Sequence, residues 1–197
     1  MTKRLFDIIF SFIGLIFSSP FLLIFALIVK IDSKGPVFFR GRRVGKNGKV
    51  FRIFKFRTMV DNAENLGGPS TAADDQRLTK IGRFLRGHNL DELPQFINVL
   101  KGDMSFVGPR PEVPSEVETY SKETKDLILS VKPGITDLAT LENIHEEEIL
   151  KVSKNPHQTY REVIKPRKLE LAKKYVKKRS FFLDIKILIK TFKSAIF

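Results

Sequence analysis

The chain has 197 residues, with 35 Lys plus Arg against 22 Asp plus Glu, a formal net charge of +13 and no cysteine. Disulfide scaffolds, cysteine-ligated zinc, iron–sulfur clusters and cysteine nucleophiles are excluded, and three histidines without HExxH spacing argue against a zinc hydrolase. The basic excess lies in residues 1–60 and 131–197 and suits polyanionic partners: nucleic acid, an anionic membrane surface or phosphorylated substrates.

From Leu5 to Val29 the only charged side chain is Asp7. A helix of that length runs about 37 Å, enough to cross a hydrocarbon core of roughly 30 Å. Membrane insertion follows, and the lack of a small-residue cleavage pattern argues against a removed signal peptide. Ser18-Ser19-Pro20 lies in the middle, where proline removes a backbone donor, so a kink or break is expected. Both flanks are basic: Lys3 and Arg4 before, then Lys30, Lys34, Arg40, Arg42 and Arg43 after. Cytosolic placement of both ends suits a helix–break–helix that dips in and returns, and a Pro-kinked helix that crosses once with an imperfect charge bias stands equally open.

Residues 36–57 read as a β-hairpin around Lys46-Asn47-Gly48, since Asn-Gly marks a tight turn. Strand alternation puts Lys55 and Arg57 on one face, either solvated or receiving a phosphate, with Phe54 and Phe56 on the other. The Gly-, Pro- and Ser-containing stretch 61–76 reads as a loop or lid, and a helix is predicted over 78–86. Next comes HNLDELPQFINVLKGDMSFVGPRPEVP. Pro94 is tolerated only in a first turn, so a helix should begin near Leu90 or Asp91 and stop at Lys101-Gly102. Asp91 and Glu92 then sit at its positive end, where they either cap the helix or do chemistry. Adjacent carboxylates, Arg110 on the rigid Gly108-Pro109-Arg110-Pro111 loop, and Lys55, Arg57 and Arg86 together suit metal-assisted phosphoryl transfer. A carboxylate can also be the nucleophile in such chemistry. His145-Glu146-Glu147-Glu148 reads as an exposed acidic turn. In the tail, Phe181, Phe182, Ile185, Leu188, Ile189, Phe192 and Ile196 recur at helical spacing, for packing on the core or for lying in the membrane interface.

KRLFDII, Ser19-Pro20, FRIFKFRTM, DDQRLTKIGRFLR, LDELPQFINVLKGDMSFVGPRP and KPGIT resemble the bacterial sugar transferases of the monotopic phosphoglycosyl transferase family, in their minimal form. The resemblance implies an α+β, mostly helical fold. Its parts are a re-entrant membrane helix over 1–30 broken at Ser19 and Pro20, a cytosolic catalytic domain with a β-hairpin over 31–179, and an amphipathic interfacial helix over 180–197. It implies transfer of sugar-1-phosphate from a UDP-sugar to undecaprenyl phosphate with release of UMP, on the cytosolic face of the inner membrane. Asp91 would be the nucleophile and a Mg²⁺ contact, Glu92 its assistant, and Arg110, Arg86, Lys55 and Arg57 would bind phosphate. Anionic lipids, downstream glycosyltransferases and a second copy of the chain are further expected partners.

The sequence departs from the family where relatives continue PGIT as GxAQVNGR, and it lacks an Asp-Tyr-Tyr pattern before the last helix. The expected donor carries an N-acetylated amino or diamino sugar, with a UDP-hexose, galactose or glucose, as the alternative. A non-catalytic membrane scaffold is a second alternative. A nucleic-acid binder fits the charge but leaves Ser19-Pro20, Asp91-Glu92 and the Arg110 loop unexplained, so no nucleic acid is expected.

Overall fold

A computed structural model describes residues 2–63, 66, 75–141, 149, 153 and 155–196. Most of the 61–76 loop expectation and all of His145–Glu148 lie outside these residues.

The fold is α+β and mostly helical. Helix α1 (Thr2–Asp32) runs unbroken through Pro20. The break expected at Ser19-Pro20 is therefore absent as a change of secondary structure, for a local reason. Proline cannot donate to the carbonyl four residues back, and the Ser19 hydroxyl donates to that Ile16 carbonyl instead, at 2.7 Å.

Both ends of α1 are bonded to the same domain. At the start, Asp7 accepts from the Ser105 hydroxyl and the Phe106 amide, each at 3.1 Å. Lys3 donates to the Val107 carbonyl at 3.0 Å and to Asp184 at 2.5 Å. In the middle Gly14 faces the Phe96 ring so closely that a Cβ would lie 2.9 Å from it. At the end Val29 is buried with Phe56 and Leu85, and Asp32 accepts from the Ile81 amide at 3.2 Å. The other face, including Leu5, Phe12, Ile16, Phe17, Leu23, Leu27 and Ile31, is exposed and apolar. Only 6% of the helix's most apolar window is buried, which a core helix of a soluble protein would not show.

After α1 the chain forms two antiparallel pairs. Strands β1 (Phe38–Phe39) and β4 (Lys55–Phe56) pair Phe38 with Phe56, while β2 (Arg42–Val44) and β3 (Val50–Arg52) pair Arg43 with Phe51. The turn between β2 and β3 is the expected Asn-Gly turn, with φ of 57° at Asn47 and 77° at Gly48. Helix α2 (Lys80–Gly87) follows, capped by the Thr79 hydroxyl, which accepts from Gly82 N. Leu90–Gln95 is a 3-10 turn and only Phe96–Lys101 (α3) is α-helical, so the expected helix starts tighter and later than predicted. Gly102 ends it in the left-handed region, φ 89°.

Strand β5 (Ser105–Val107) pairs in parallel with β6 (Gly134–Thr136), and Gly108 and Gly134 permit the close approach of the two backbones. Short helices α4 (Pro114–Glu118) and α5 (Lys122–Ile128) lie between them, and α6 (Leu138–Leu141) comes after. Helix α7 (Pro156–Thr159) leads through a π-helical turn, Tyr160–Ile164, into α8 (Lys165–Lys178) and then α9 (Phe181–Ile196). Helix α9 packs on the core by one face and leaves the other exposed. Ile187 is fully buried with Val107, Tyr175 and Val176, whereas Phe182 and Phe192 are 85% and 69% exposed.

One buried side chain joins the hairpin to α3. Asn98 accepts from the Phe54 amide at 2.8 Å and donates to the Arg52 carbonyl at 3.0 Å. Below this clamp Phe51, Ile53, Val99 and Met104 close a core. Asn98→Ala strands two part-buried backbone groups and should cost about 2 kcal/mol, read from denaturant unfolding of the detergent-solubilised protein. A loss under ~1 kcal/mol would mean the hairpin is held elsewhere.

Candidate active site

Three elements converge on the Asp91-Glu92 pair. Asn89, at φ 55°, turns the chain out of α2, and Leu90 packs against the cluster of Phe56 and Leu85. Buried Pro94 and Gln95 anchor the far end of the turn. The two carboxylates are thereby fixed from both sides on a short 3-10 segment.

Their environments differ. The Glu92 side chain is 11% exposed, and its Oε1 accepts from Lys55 Nζ of β4 at 2.5 Å and from Arg110 Nη2 of the loop after β5. Burial alone would raise the Glu92 pKa, but the Arg110 and Lys55 charges and hydrogen bonds outweigh it and hold the carboxyl well below the usual range. Asp91 is 7% exposed, and among the described residues its carboxylate makes no hydrogen bond or ion pair. Burial raises its pKa, with Glu92 adding to the rise, while Lys55, Arg86 and Arg110 oppose it. One carboxylate is thus committed to two cations, and its neighbour is desolvated within the field of three.

Of the residues singled out from sequence, Asp91, Glu92, Lys55, Arg110 and Arg86 act on one another. Arg57 is placed elsewhere. β4 ends at Phe56, so strand alternation does not carry Arg57 beside Lys55. Its guanidinium donates to the Ser33 carbonyl at 2.7 Å, the Ser33 hydroxyl at 2.9 Å and the Lys34 carbonyl at 2.5 Å, clamping the exit of α1. Gly35, at φ 119°, leaves room for that clamp, because a Cβ would meet Arg57 Nη1 at 1.9 Å. Ser19 and Pro20 lie within α1.

Two groupings escaped the sequence reading. Tyr175 donates to Asp184 at 2.7 Å and to the Val107 carbonyl at 3.2 Å, tying α8 and α9 to the strand that leads into the Arg110 loop. Beside Arg110 a cleft is lined by Glu112, Tyr120, Asp137, Lys165 and Lys168. Asp137 opens the stretch that departs from the family pattern, which is the only sequence signal pointing to this cleft.

Among the described residues no three His, Asp or Glu side chains cluster for a metal, and the Glu92 Oε1 is taken by cations. The Asp91 carboxylate remains. That fits Mg²⁺, which often binds through one or two carboxylates together with substrate phosphates.

A raised pKa means that folding penalises the charged form of Asp91. Below its ordinary value of 3.8 the carboxyl is protonated in folded and unfolded chains alike, and it contributes nothing. Above that value the unfolded chain ionises first, so charged Asp91 destabilises the fold at neutral pH. Asp91→Asn should therefore raise the melting temperature at about pH 7, and the gain should vanish below about pH 4. An unchanged or lower melting temperature at neutral pH would mean that cations already compensate the buried charge.

Comparison with known proteins matches the description "Bacterial sugar transferase" to residues 1–197. The chain is 42% identical to the UDP-glucose:undecaprenyl-phosphate glucose-1-phosphate transferase of Klebsiella pneumoniae, over 96% of this chain and 39% of that protein. It is 36% identical to the UDP-N-acetylgalactosamine-undecaprenyl-phosphate N-acetylgalactosaminephosphotransferase of Aeromonas hydrophila, over 98% of this chain and 43% of that protein. The chain thus spans under half the length of either enzyme. The uncharacterized sugar transferase EpsL of Bacillus subtilis is 39% identical over 96% of this chain and 84% of its own length. With its whole length matched, the chain belongs to the bacterial sugar transferase family.

Proposed function

We propose that the protein transfers a sugar-1-phosphate from a UDP-sugar to undecaprenyl phosphate, releasing UMP, through a covalent phosphosugar on Asp91. The carrying observation is the division of labour in the pair: Glu92 holds two cations in place, and the Asp91 carboxylate is left desolvated and unbonded. A desolvated carboxylate is a better nucleophile than a hydrated one, and Lys55, Arg86 and Arg110 offset its repulsion from a diphosphate.

The chemistry balances in two steps. An Asp91 oxygen attacks the phosphorus that bears the sugar, the phosphoanhydride bond breaks, and UMP departs with the bridging oxygen. An oxygen of undecaprenyl phosphate then attacks the same phosphorus, the acyl phosphate breaks, and Asp91 is restored as a carboxylate. Arg110 and Lys55 hold phosphate oxygens, Arg86 adds positive field, and Glu92 orients both cations. Mg²⁺, bound through Asp91 and the diphosphate, would supply charge neutralisation. The donor's remaining parts extend toward the cleft beside Arg110. Relatives named for glucose and for N-acetylgalactosamine support the common reaction, and the donor proposed for this chain carries an N-acetylated amino or diamino sugar.

The test is UMP release by the purified chain with Mg²⁺ and undecaprenyl phosphate, across UDP-hexoses and UDP-linked N-acetylated amino and diamino sugars. One donor should give release that Asp91→Asn abolishes, and donor alone should add a sugar phosphate to the intact mass. Release that persists in Asp91→Asn would overturn the covalent mechanism, and silence across the whole panel would leave the non-catalytic scaffold.

The protein is further proposed to be monotopic, with both ends of α1 on the cytosolic face of the inner membrane. Docking of Lys3 and of Asp32 on one domain supports this. The chain has no native cysteine, so Thr2→Cys and Lys34→Cys report cleanly. Both should react with an impermeant maleimide from the cytosolic side, and labelling from opposite sides would overturn the arrangement.

A further inference from the structure

The KPGIT motif contributes a cation that the proposed reaction does not use. Helix α3 ends at Gly102, where φ is 89° and there is no side chain. Arg4 reaches this end from the first turn of α1. It donates to the Val99 carbonyl at 2.6 Å, which also accepts from the Gly102 amide, and to the Leu100 carbonyl at 2.8 Å, satisfying the end of the helix. Lys132 arrives from the segment before β6. A Cβ on Gly102 would lie 3.1 Å from Arg4 Nη2 and 3.2 Å from Lys132 Nζ. The two cationic heads therefore share the space above a residue with no side chain, close enough for two oxygens of one phosphate to meet both.

The pair is not neutralised from within. Among the described residues Lys132 makes no hydrogen bond or ion pair. Asp7 and Asp103 lie within electrostatic reach, but Asp7 is bonded to Ser105 and the Phe106 amide, and Asp103 to Asn98 at 3.3 Å. Lys46 adds another positive charge nearby. Burial first, and then the Arg4 charge, push the Lys132 ammonium below its usual range, and an anion between the two cations would relieve this repulsion.

The position selects the anion. Leu5, Ile8 and Ile9, within about a turn of Arg4, are exposed and apolar, so with α1 in lipid the pair stands at headgroup depth. The 3-10 turn and α3 separate it from Asp91 by roughly 15–20 Å, too far to serve the same phosphorus. We propose that Arg4 and Lys132, over Gly102, bind the headgroup phosphate of an anionic glycerophospholipid at a site separate from the catalytic pair. This rests on the reading of α1 as a membrane helix.

The test uses the full chain in phosphatidylcholine-containing micelles supplemented with phosphatidylglycerol, with retained lipid followed by native mass spectrometry. Lys132→Gln removes one head without touching the Arg4 bonds, and Lys178→Gln makes the same charge change on exposed α8. Wild type and Lys178→Gln should retain phosphatidylglycerol, and Lys132→Gln should show about tenfold lower occupancy with an unchanged circular dichroism spectrum. Equal retention by all three would overturn the site. Inorganic phosphate occupying it, with no lipid retained by wild type, would overturn the lipid assignment. Flotation with phosphatidylcholine vesicles separates the two readings: Lys132→Gln should still float, and a wild type that floats with no vesicle would overturn the membrane reading itself.

Discussion

A single carboxylate oxygen organises the candidate site. Glu92 Oε1 is shared by Lys55 from the hairpin and Arg110 from the loop after β5, so three segments distant in sequence meet at one atom. A buried carboxylate with neither partner would be driven toward protonation, and with one it would fix only a single cation. With both, it stays ionised and holds two cations in fixed positions. What this does for Asp91 is indirect: the neighbouring carboxylate sits in a positive field and, among the described residues, makes no hydrogen bond of its own.

The same economy of parts governs the membrane helix. Asp7 looks like a flaw in an apolar run, yet it satisfies the Ser105 hydroxyl and the Phe106 amide at the start of β5. An ionisable residue inside such a segment belongs on the protein side, where partners exist. Together with Lys3 and Arg4 it fastens the first turns of α1 to the strand and helix that frame the Arg110 loop. Membrane seating and the position of Arg110 are therefore linked through β5.

Much of this was legible in local pattern. Composition marks α1, Asn47-Gly48 marks the hairpin turn, Gly102 marks the stop of α3, and Gly108-Pro109-Arg110-Pro111 marks a stiff loop. The failures have physical causes. Alternation assigned Arg57 to the phosphate face, but the strand ends one residue earlier and the side chain is drawn to the carbonyls of Ser33 and Lys34. Ser19-Pro20 looked like a break because a hydroxyl standing in for a missing amide is invisible to propensity. Asn98 and the Tyr175–Asp184 pair were missed because their partners are set by tertiary packing, which no spacing rule encodes.

The Lys3–Asp184 bond also bears on how the chain is made. Its partners are 181 positions apart, so α1 cannot acquire its last docking contacts until nearly all of the sequence described here has been synthesised. At ~5–20 residues per second that delay is on the order of ten seconds or more. The other partners of α1 arrive sooner: Phe56, Ile81 and Leu85 for its last turns, then Val99 and Leu100 for Arg4. The helix is therefore docked from its C-terminal end first, and the Lys3–Asp184 bond closes the domain last.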